Sequence, residues 1–395
     1  MLKCASVYTY EIDDRTTALN EINAQLEEKI NLLENSVGII MCHTEFISSG
    51  MLKFICSNLP FDVVGVTTAA QAVNDEAGEL ILTIFIMTSD DVRFRSGAAD
   101  NLKDGLDASV KAAYENVSGD ETGAPRLALI FPPILLSHFA GDDYVKTWQN
   151  LIPETPLFGT LAMDDTPTFE DCETIYNGEN SKNAMPFVLC YGNINPSFLI
   201  GTMPKEKVIH YTGDISKSTG SVVHEINGMN AYKYFESIGF EKDGESSVNY
   251  LFLPFLIDQR KRTDYDGIPV IRVLSYFSDD GTAVFHGNVD EGSTFTLLKC
   301  ESEDILTTAQ NCVNEVRDKN DINGVLLFSC IVRRIVTMSG GNSDANEEFE
   351  IVKKTLAPVV PFMMGSAGGE ICPTLGKGNT LTNRYHEYTL IILII

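Results

Sequence analysis

Three segments of this chain repeat one order of secondary-structure signals, and this repeat limits the possible folds more than any other feature. The segments start with apolar strands at Val37–Phe46, Leu127–Pro133 and Gly324–Cys330, and each strand is followed by a predicted helix. A short strand with a glycine and then a longer apolar strand complete each unit. Since such a unit buries its apolar strands only against neighbours, we expect one structural pattern used three times, with spacing too variable for a solenoid.

The alternation of helices with apolar strands predicts an α/β or mixed α+β fold, with mixed sheets flanked by helices. Because the strands are apolar on both faces, we expect a layered arrangement in which two sheets face each other beneath outer helices. Near residues 204–220 the apolar strands give way to Lys, Gly, Ser and Thr. The sequence therefore predicts two domains, residues 1–212 and 213–395, and an exposed loop at 241–249.

Six stretches carry helical spacing of their apolar residues or helical composition. The first follows Asp13 and Asp14, with Leu19, Ile22 and Leu26 at steps of three or four. The predicted helices are Asp14–Asn35, Gly97–Ser118, Asp143–Leu151, Gly228–Ile238, Ser302–Lys319 and Asn346–Leu356.

The short strands of the three units end in similar glycine-containing segments, GVTT from Gly65, GTLA from Gly159 and GSAG from Gly365. Small residues after an apolar strand allow backbone amides to approach a ligand closely, and the hydroxyls of Thr67 and Thr68 add further polar groups. The alternative is a tight turn that needs small residues only for packing. Both interpretations stay open from the sequence.

The third unit holds a group of residues that could bind a zwitterion. Its first strand ends at Cys330, and we expect Arg333 and Arg334 in the loop that follows. An arginine could hold a carboxylate bidentately while Glu370 accepts from an ammonium group. The alternative is a structural Arg–Glu pair capped by His386. The predicted ligand-binding residues are Thr67, Thr68, Cys330, Arg333, Gly365, Ser366, Gly368, Gly369, Glu370 and His386.

Catalytic and metal-binding motifs are absent from the sequence. It has no G-x-S-x-G elbow, no Walker A loop and no G-x-G-x-x-G turn, and its six histidines are far apart. Nine cysteines occur without a C-x-x-C pair, which argues against a zinc site and against a disulfide framework. We therefore expect no metal, no cofactor and no enzyme activity. A hydrolase or amidase that uses Cys330 with His386 is the alternative.

The charge balance excludes two classes of partner. With 55 acidic and 29 basic residues the chain has a net charge of −26, whereas nucleic acids and anionic membranes attract clustered Lys and Arg. The N-terminus lacks the apolar region of a signal peptide, and no stretch approaches the ~20 apolar residues of a spanning helix. We expect a cytoplasmic protein with reduced, buried thiols.

Several of these motifs resemble those of the FIST sensory domains. GVTTAAQ, FSC-x-x-R, GSAGGEICP and the H-x-Y-T ending carry the resemblance, which covers about residues 30–395. In the first turn Ala70 and Gln71 stand where the family usually has Gly and Glu. The resemblance implies a soluble sensory module of prokaryotic signal transduction that binds a small molecule such as an amino acid. It also implies a separate signalling partner, such as a kinase, a cyclase or a chemotaxis component. A ligand-free interaction scaffold is a further alternative.

Overall fold

The computed structural model describes residues 1–119, 121–166, 169–203, 207–240, 253–259, 268–339, 345–376 and 381–395. The loop predicted at 241–249 lies outside them. The described residues form nine α-helices: α1 (Arg15–Lys29), α2 (Glu45–Ser48), α3 (Met51–Cys56), α4 (Leu106–Ser118), α5 (Gly141–Leu151), α6 (Ala231–Ser237), α7 (Ser302–Arg317), α8 (Ile331–Ser339) and α9 (Glu347–Leu356).

Strands of the first two units lie in two six-stranded sheets. In spatial order, sheet 1 contains β1 (Lys3–Thr9), β6 (Leu82–Ser89), β2 (Asn35–Cys42), β3 (Asp62–Thr67), β10 (Thr174–Tyr176) and β11 (Glu179–Ser181). Sheet 2 contains β25 (Leu381–His386), β24 (Glu370–Leu375), β9 (Leu157–Thr160), β8 (Leu127–Ile130), β12 (Met185–Gly192) and β7 (Val92–Ala99).

The other strands form sheet 3, with six strands, and sheet 4, with eight. Sheet 3 contains β13 (Ser197–Gly201), β26 (Leu390–Ile394), β22 (Val325–Cys330), β23 (Phe362–Ala367), β4 (Gln71–Val73) and β5 (Ala77–Gly78). Sheet 4 contains β18 (Val270–Arg272), β17 (Phe255–Asp258), β21 (Thr294–Leu298), β14 (Val208–Thr219), β15 (Val222–Ile226), β20 (Ala283–Phe285) and β19 (Leu274–Phe277), and β16 (Met229–Asn230) pairs with β15.

The three units recognised in the sequence each form the centre of one sheet. In every unit the first two strands are parallel: β2 with β3, β8 with β9, and β22 with β23. The long final strand returns antiparallel to the first, as β6, β12 and β26. The three units therefore share the same pattern of strand pairing. The order of strands and helices along the sequence does not by itself predict which strands pair.

The mixed α/β class is confirmed, and the helices lie outside the sheets. One large apolar core lies among sheets 1, 2 and 3, and includes Val64, Phe158 and Phe328. The outer faces of these sheets are covered by α1 and α3, by α4 and α5, and by α7 and α9 respectively. Three sheets thus surround the central core, where the sequence predicted two.

Strands from both halves of the chain share sheets. The early strands β4, β5 and β13 extend sheet 3, which is built around β22 and β23. In return, the late strands β24 and β25 extend sheet 2 through the pairing of β24 with β9. The boundary between residues 212 and 213 stays a prediction, but it does not separate these two sheets.

Three predicted element assignments were wrong at least in part, and the first is the helix Asp14–Asn35, since α1 ends at Lys29 and Asn35 begins β2. The stretch from Gly97 begins inside β7, and its helix starts only at Leu106. Arg333 and Arg334 lie in α8 rather than in a loop. At these last two places the apolar residues fit a helix or a strand: α8 follows β22 directly, whereas residues 100–105 separate α4 from β7.

The aligned glycines lie inside strands rather than in turns. Gly65 pairs with Ile40, and Gly159 pairs with Ile130, each across a parallel strand pair. A Cβ added at either glycine would overlap the carbonyl oxygen of its partner residue. Close backbone packing between parallel strands therefore explains these two glycines, and the tight turns of the second interpretation do not occur at them.

Candidate functional site

A small cavity lies where the strand ends of the second and third units converge. The space that water-sized molecules can occupy is about 100 Å³. The segments after β8, β9, β22 and β23 all reach it, and such strand ends are where crevices open in α/β folds. Its lining is Ile134, Leu136, Met163, Phe169, Val273, His286, Cys330, Ile331, Val332, Ile335, Gly368, Gly369, Tyr385 and Glu387.

Glu387 is the acidic residue in this otherwise apolar lining. Only 2% of the residue is exposed. Its Oε2 accepts from the backbone N–H of Val273 at 2.6 Å, and its Oε1 has no hydrogen-bond partner among the described residues. Burial raises the pKa of Glu387 to about 8, although the nearby Arg272 opposes this rise. The carboxyl group is therefore mostly protonated at neutral pH when the cavity is empty.

A second buried carboxyl group lies behind the cavity. Glu370 begins β24, and its Oε2 accepts from the Thr389 hydroxyl at 2.7 Å and from the Thr389 N–H at 3.3 Å. Its Oε1 has no hydrogen-bond partner among the described residues. Burial raises the pKa of Glu370 well above its usual range, and hydrogen bonds from Thr389 and Cys330 oppose the rise.

Cys330 lines the cavity as a neutral thiol. Burial raises its pKa well above the ordinary thiol value, and the neighbouring Glu370 adds to the rise. A nucleophilic cysteine needs the opposite shift and an accessible sulfur. His386, its predicted partner, is buried, and its Nε2 lies 3.0 Å from the carbonyl oxygen of Cys372.

His286 and Tyr385 complete the polar part of the lining. Packing around the imidazole lowers the pKa of His286 to about 4, so this ring is neutral at pH 7, and the residue keeps some exposure. Burial raises the pKa of Tyr385 well above its usual value. Neither side chain supplies a positive charge, and no lysine or arginine is among the described residues of the lining.

The glycines of the β23–β24 connection fit the cavity wall closely. Gly369 has a φ of +129°, which a residue with a side chain rarely adopts, and a Cβ there would overlap the Tyr385 hydroxyl. A Cβ at Gly368 would lie 2.5 Å from the carbonyl oxygen of Ala162. These two predicted residues do line the cavity, together with Cys330.

Arg333 lies outside the lining, on the other face of sheet 3. Its Nη2 lies 2.6 Å from Glu348 Oε1, and its Nε donates to the Ser329 hydroxyl at 3.2 Å. Ser329 and Cys330 are consecutive in β22, so their side chains point to opposite faces of the sheet. Arg333 therefore pairs with Glu348 beneath α9, whereas Glu370 lies on the side of Cys330.

The remaining predicted residues join strands to one another. The Thr67 N–H donates to the carbonyl oxygen of Glu173 at 2.9 Å, and the Glu173 N–H donates to the Thr67 hydroxyl at 2.9 Å. The Thr68 hydroxyl donates to the carbonyl oxygen of Ser366 at 2.8 Å. Gly365 lies inside β23 against Met41. None of these predicted residues is in the cavity lining.

Sequence reasoning missed Glu387 and Val273, which form a hydrogen bond with each other in the cavity wall. One signal was available for Glu387, because an acid that directly precedes the apolar strand YTLIILII is costly to bury without a purpose. The sequence gives no such signal for Val273, because this residue contributes its backbone N–H and not its side chain.

A wider cleft of about 920 Å³ lies beside the edge strand β7. Two of its charged residues are already paired across the surface: Arg95 with Glu121 at 2.8 Å, and Glu179 with Lys53 at 2.6 Å. Across the residues that the structure describes, no group of His, Cys, Asp and Glu could hold a metal ion, and no helix is long and apolar enough to cross a bilayer. The smaller cavity is therefore the better candidate for a ligand site.

Comparison with protein families gives two adjacent matches. Residues 36–229 match the family model described as the FIST N domain, and residues 230–373 match the one described as the FIST C domain. Together they cover most of the chain, in the order that the sequence motifs predicted. No curated protein shows significant similarity to the chain.

Proposed function

This chain belongs to the FIST family of signal-transduction sensory domains, and from that premise we propose that it binds a small molecule in the cavity around Cys330, Gly369 and Glu387. The observation that carries the proposal is the composition of the cavity wall. Ile134 to Phe169 of the lining belong to the matched N domain, Val273 to Gly369 belong to the matched C domain, and Tyr385 and Glu387 follow it in the chain. A ligand there would contact both family domains at once.

The size and lining of the cavity support an amino acid or a molecule of similar size. Its 100 Å³ is about three times the ~30 Å³ that one water molecule takes up in the liquid, so the cavity suits only a small molecule. A mostly apolar wall with a few polar groups is typical of a small-ligand site. A short amino acid would place its side chain against Ile335 and Val332, with its ammonium group near Glu387.

We propose that the signal passes to a separate protein, such as a kinase, a cyclase or a chemotaxis component. The hydrogen bond from Val273 to Glu387 supports a route for this signal, because Val273 connects β18 to β19 of sheet 4. A ligand that changes the charge of Glu387 would change that bond. Sheet 4 would then report occupancy of the cavity to a partner.

A cavity-filling variant tests this function. We expect amino acids or small amines to raise the melting temperature of the wild-type chain, because a ligand at 100 times its Kd adds about 2.7 kcal/mol. Ile335→Trp fills the cavity and should abolish the shift. Met338→Trp is the matched control, since Met338 lies on the same helix, is 55% exposed and is outside the lining. An equal shift in the wild type and in Ile335→Trp would refute the site.

A further inference from the structure

We infer that Glu387 is the anchor for a protonated amino group, and that the cavity selects small amines with an apolar body without recognising a carboxylate. This inference rests on the proposed function and specifies its ligand class. If the inference is correct, simple alkylamines bind in the cavity, as amino acids do, and the corresponding carboxylic acids do not bind.

The geometry of Glu387 supplies the acceptor. One carboxyl oxygen is held by the Val273 N–H at 2.6 Å, while Oε1 has no hydrogen-bond partner among the described residues. A buried acceptor without a partner is costly, and Glu387 lines the cavity, so a donor that enters and reaches Oε1 removes that cost. Because Val273 holds the other oxygen, the group is oriented before the ligand arrives.

Among the described residues of the lining, no equivalent group is present for a carboxylate. The guanidinium of Arg272, which interacts with Glu387, is 1% exposed and fully engaged. Its Nη2 donates to Asp142 at 2.8 and 3.1 Å, its Nε donates to the Asn288 carbonyl at 3.0 Å, and its Nη1 donates to the carbonyls of Ile271 and Tyr385. A ligand carboxylate would have to stay at the mouth of the cavity, in contact with water.

Because of the surroundings of Glu387, a proton is released when an amine binds. Without a ligand the carboxyl group is mostly neutral at pH 7, because burial outweighs the attraction of Arg272. A protonated amine favours the carboxylate, so Glu387 passes its proton to the buffer while the amine keeps its own. The titratable and charged groups that face it are Arg272, Asp142, Glu370, Tyr385, Cys330 and His286.

Calorimetry with three ligands that share an isopropyl group tests the inference. Isobutylamine, valine and isobutyric acid are titrated into the chain at pH 6.5, in two buffers of different ionisation enthalpy. We expect the amine and the amino acid to bind, each releasing close to one proton, and the acid not to bind. Isobutyric acid binding as tightly as isobutylamine, or no binding by the amine, would overturn the inference.

Glu387→Gln separates this inference from the proposed function. The amide oxygen can still accept from Val273, so the variant should fold, as circular dichroism will show. We expect it to bind the amine at least roughly tenfold more weakly and to release no proton. Glu303→Gln, an exposed acid on α7, is the control and should bind normally. If Ile335→Trp abolishes binding while Glu387→Gln leaves it unchanged, the cavity site stands and the amine anchor fails.

Discussion

At the scale of single residues, the buried ionisable side chains include a structural pair, Arg333 with Glu348, and an acid that lines the cavity, Glu387. Arg333 is fully buried and holds Glu348 at 2.6 Å, with further hydrogen bonds to Ser329 and to the Ile305 carbonyl. The sequence predicts an arginine near an acid, but it cannot identify Glu348 as the acid. Which acid pairs with Arg333 depends on the face of sheet 3 on which each side chain lies. The residue at which β22 ends and α8 begins determines that face.

A double-mutant comparison tests the role of Arg333. Glu348→Gln leaves a buried guanidinium without its counter-charge, so we expect a loss of about 3–5 kcal/mol in the free energy of unfolding. Replacing the pair, as Arg333→Met with Glu348→Leu, should cost far less, because no charge is left buried. Urea denaturation measures both. If the double variant is stable but no longer binds ligand, then Arg333 belongs to the binding site.

The raised pKa of Glu387 predicts a pH dependence of stability with a definite sign. An unfolded glutamate titrates near 4.5, and Glu387 titrates at about 8 in the folded chain. Between these values the folded state keeps a proton that the unfolded state has released, so stability falls as pH rises, by at most about 1.4 kcal/mol per pH unit. Below pH 4.5 this residue contributes no slope.

Glu387→Gln removes this contribution and isolates it. We expect the variant to match the wild type near pH 4.5 and to be increasingly more stable than it as the pH rises towards 8. The difference between the two unfolding free energies at each pH is the quantity to measure, because other titrating groups cancel in it. A difference that does not change with pH would show that Glu387 is ionised throughout.

Cysteine reactivity tests the enzyme alternative. Of the nine described cysteines, only Cys312 is partly exposed, and burial raises its pKa to about 11. We expect iodoacetamide to label Cys312 first and slowly, and to reach Cys330 only when the chain unfolds. Mass spectrometry of the native protein measures the order. Rapid labelling of Cys330 would favour a nucleophilic role.

At the scale of elements, the parallel strand pairs determine where glycine is required. A Cβ at Gly65 would overlap the Ile40 carbonyl oxygen, so Gly65→Ala should push β2 and β3 apart and cost roughly 1–3 kcal/mol or more. Gly105→Ala is the control, because its nearest neighbour would lie 3.9 Å away and little should change. Thermal unfolding compares the two variants. Equal melting temperatures would contradict the close packing.

Helices and strands were predictable where a single spacing of apolar residues dominates the sequence. The first helix follows its apolar spacing, and Asp14 caps it by accepting from the N–H groups of Thr16 and Thr17. The glycine-containing segments were harder, because a glycine inside a parallel pair and a glycine in a turn give the same local sequence. The helix α8 was missed because it starts at the residue directly after β22. The apolar residues of the strand are therefore continuous with those of the helix.

At the scale of the whole molecule, pairing between distant segments produces the cavity. Sheet 2 joins β9 to β24 across more than 200 residues, and this pairing brings Gly369 beside Thr160 and Leu161. No local pattern specifies such a contact. The sequence therefore predicted Cys330, Gly368 and Gly369 as candidates, but it could not show that both family domains close around them.

A crystal structure of the chain with its tightest-binding amine tests the central claim most directly. We predict ligand density in the cavity between Cys330, Gly369 and Glu387, with the amine nitrogen at about 2.7–3.2 Å from a Glu387 carboxylate oxygen. Density confined to the wider cleft beside β7, or an empty cavity at saturating ligand, would contradict the claim.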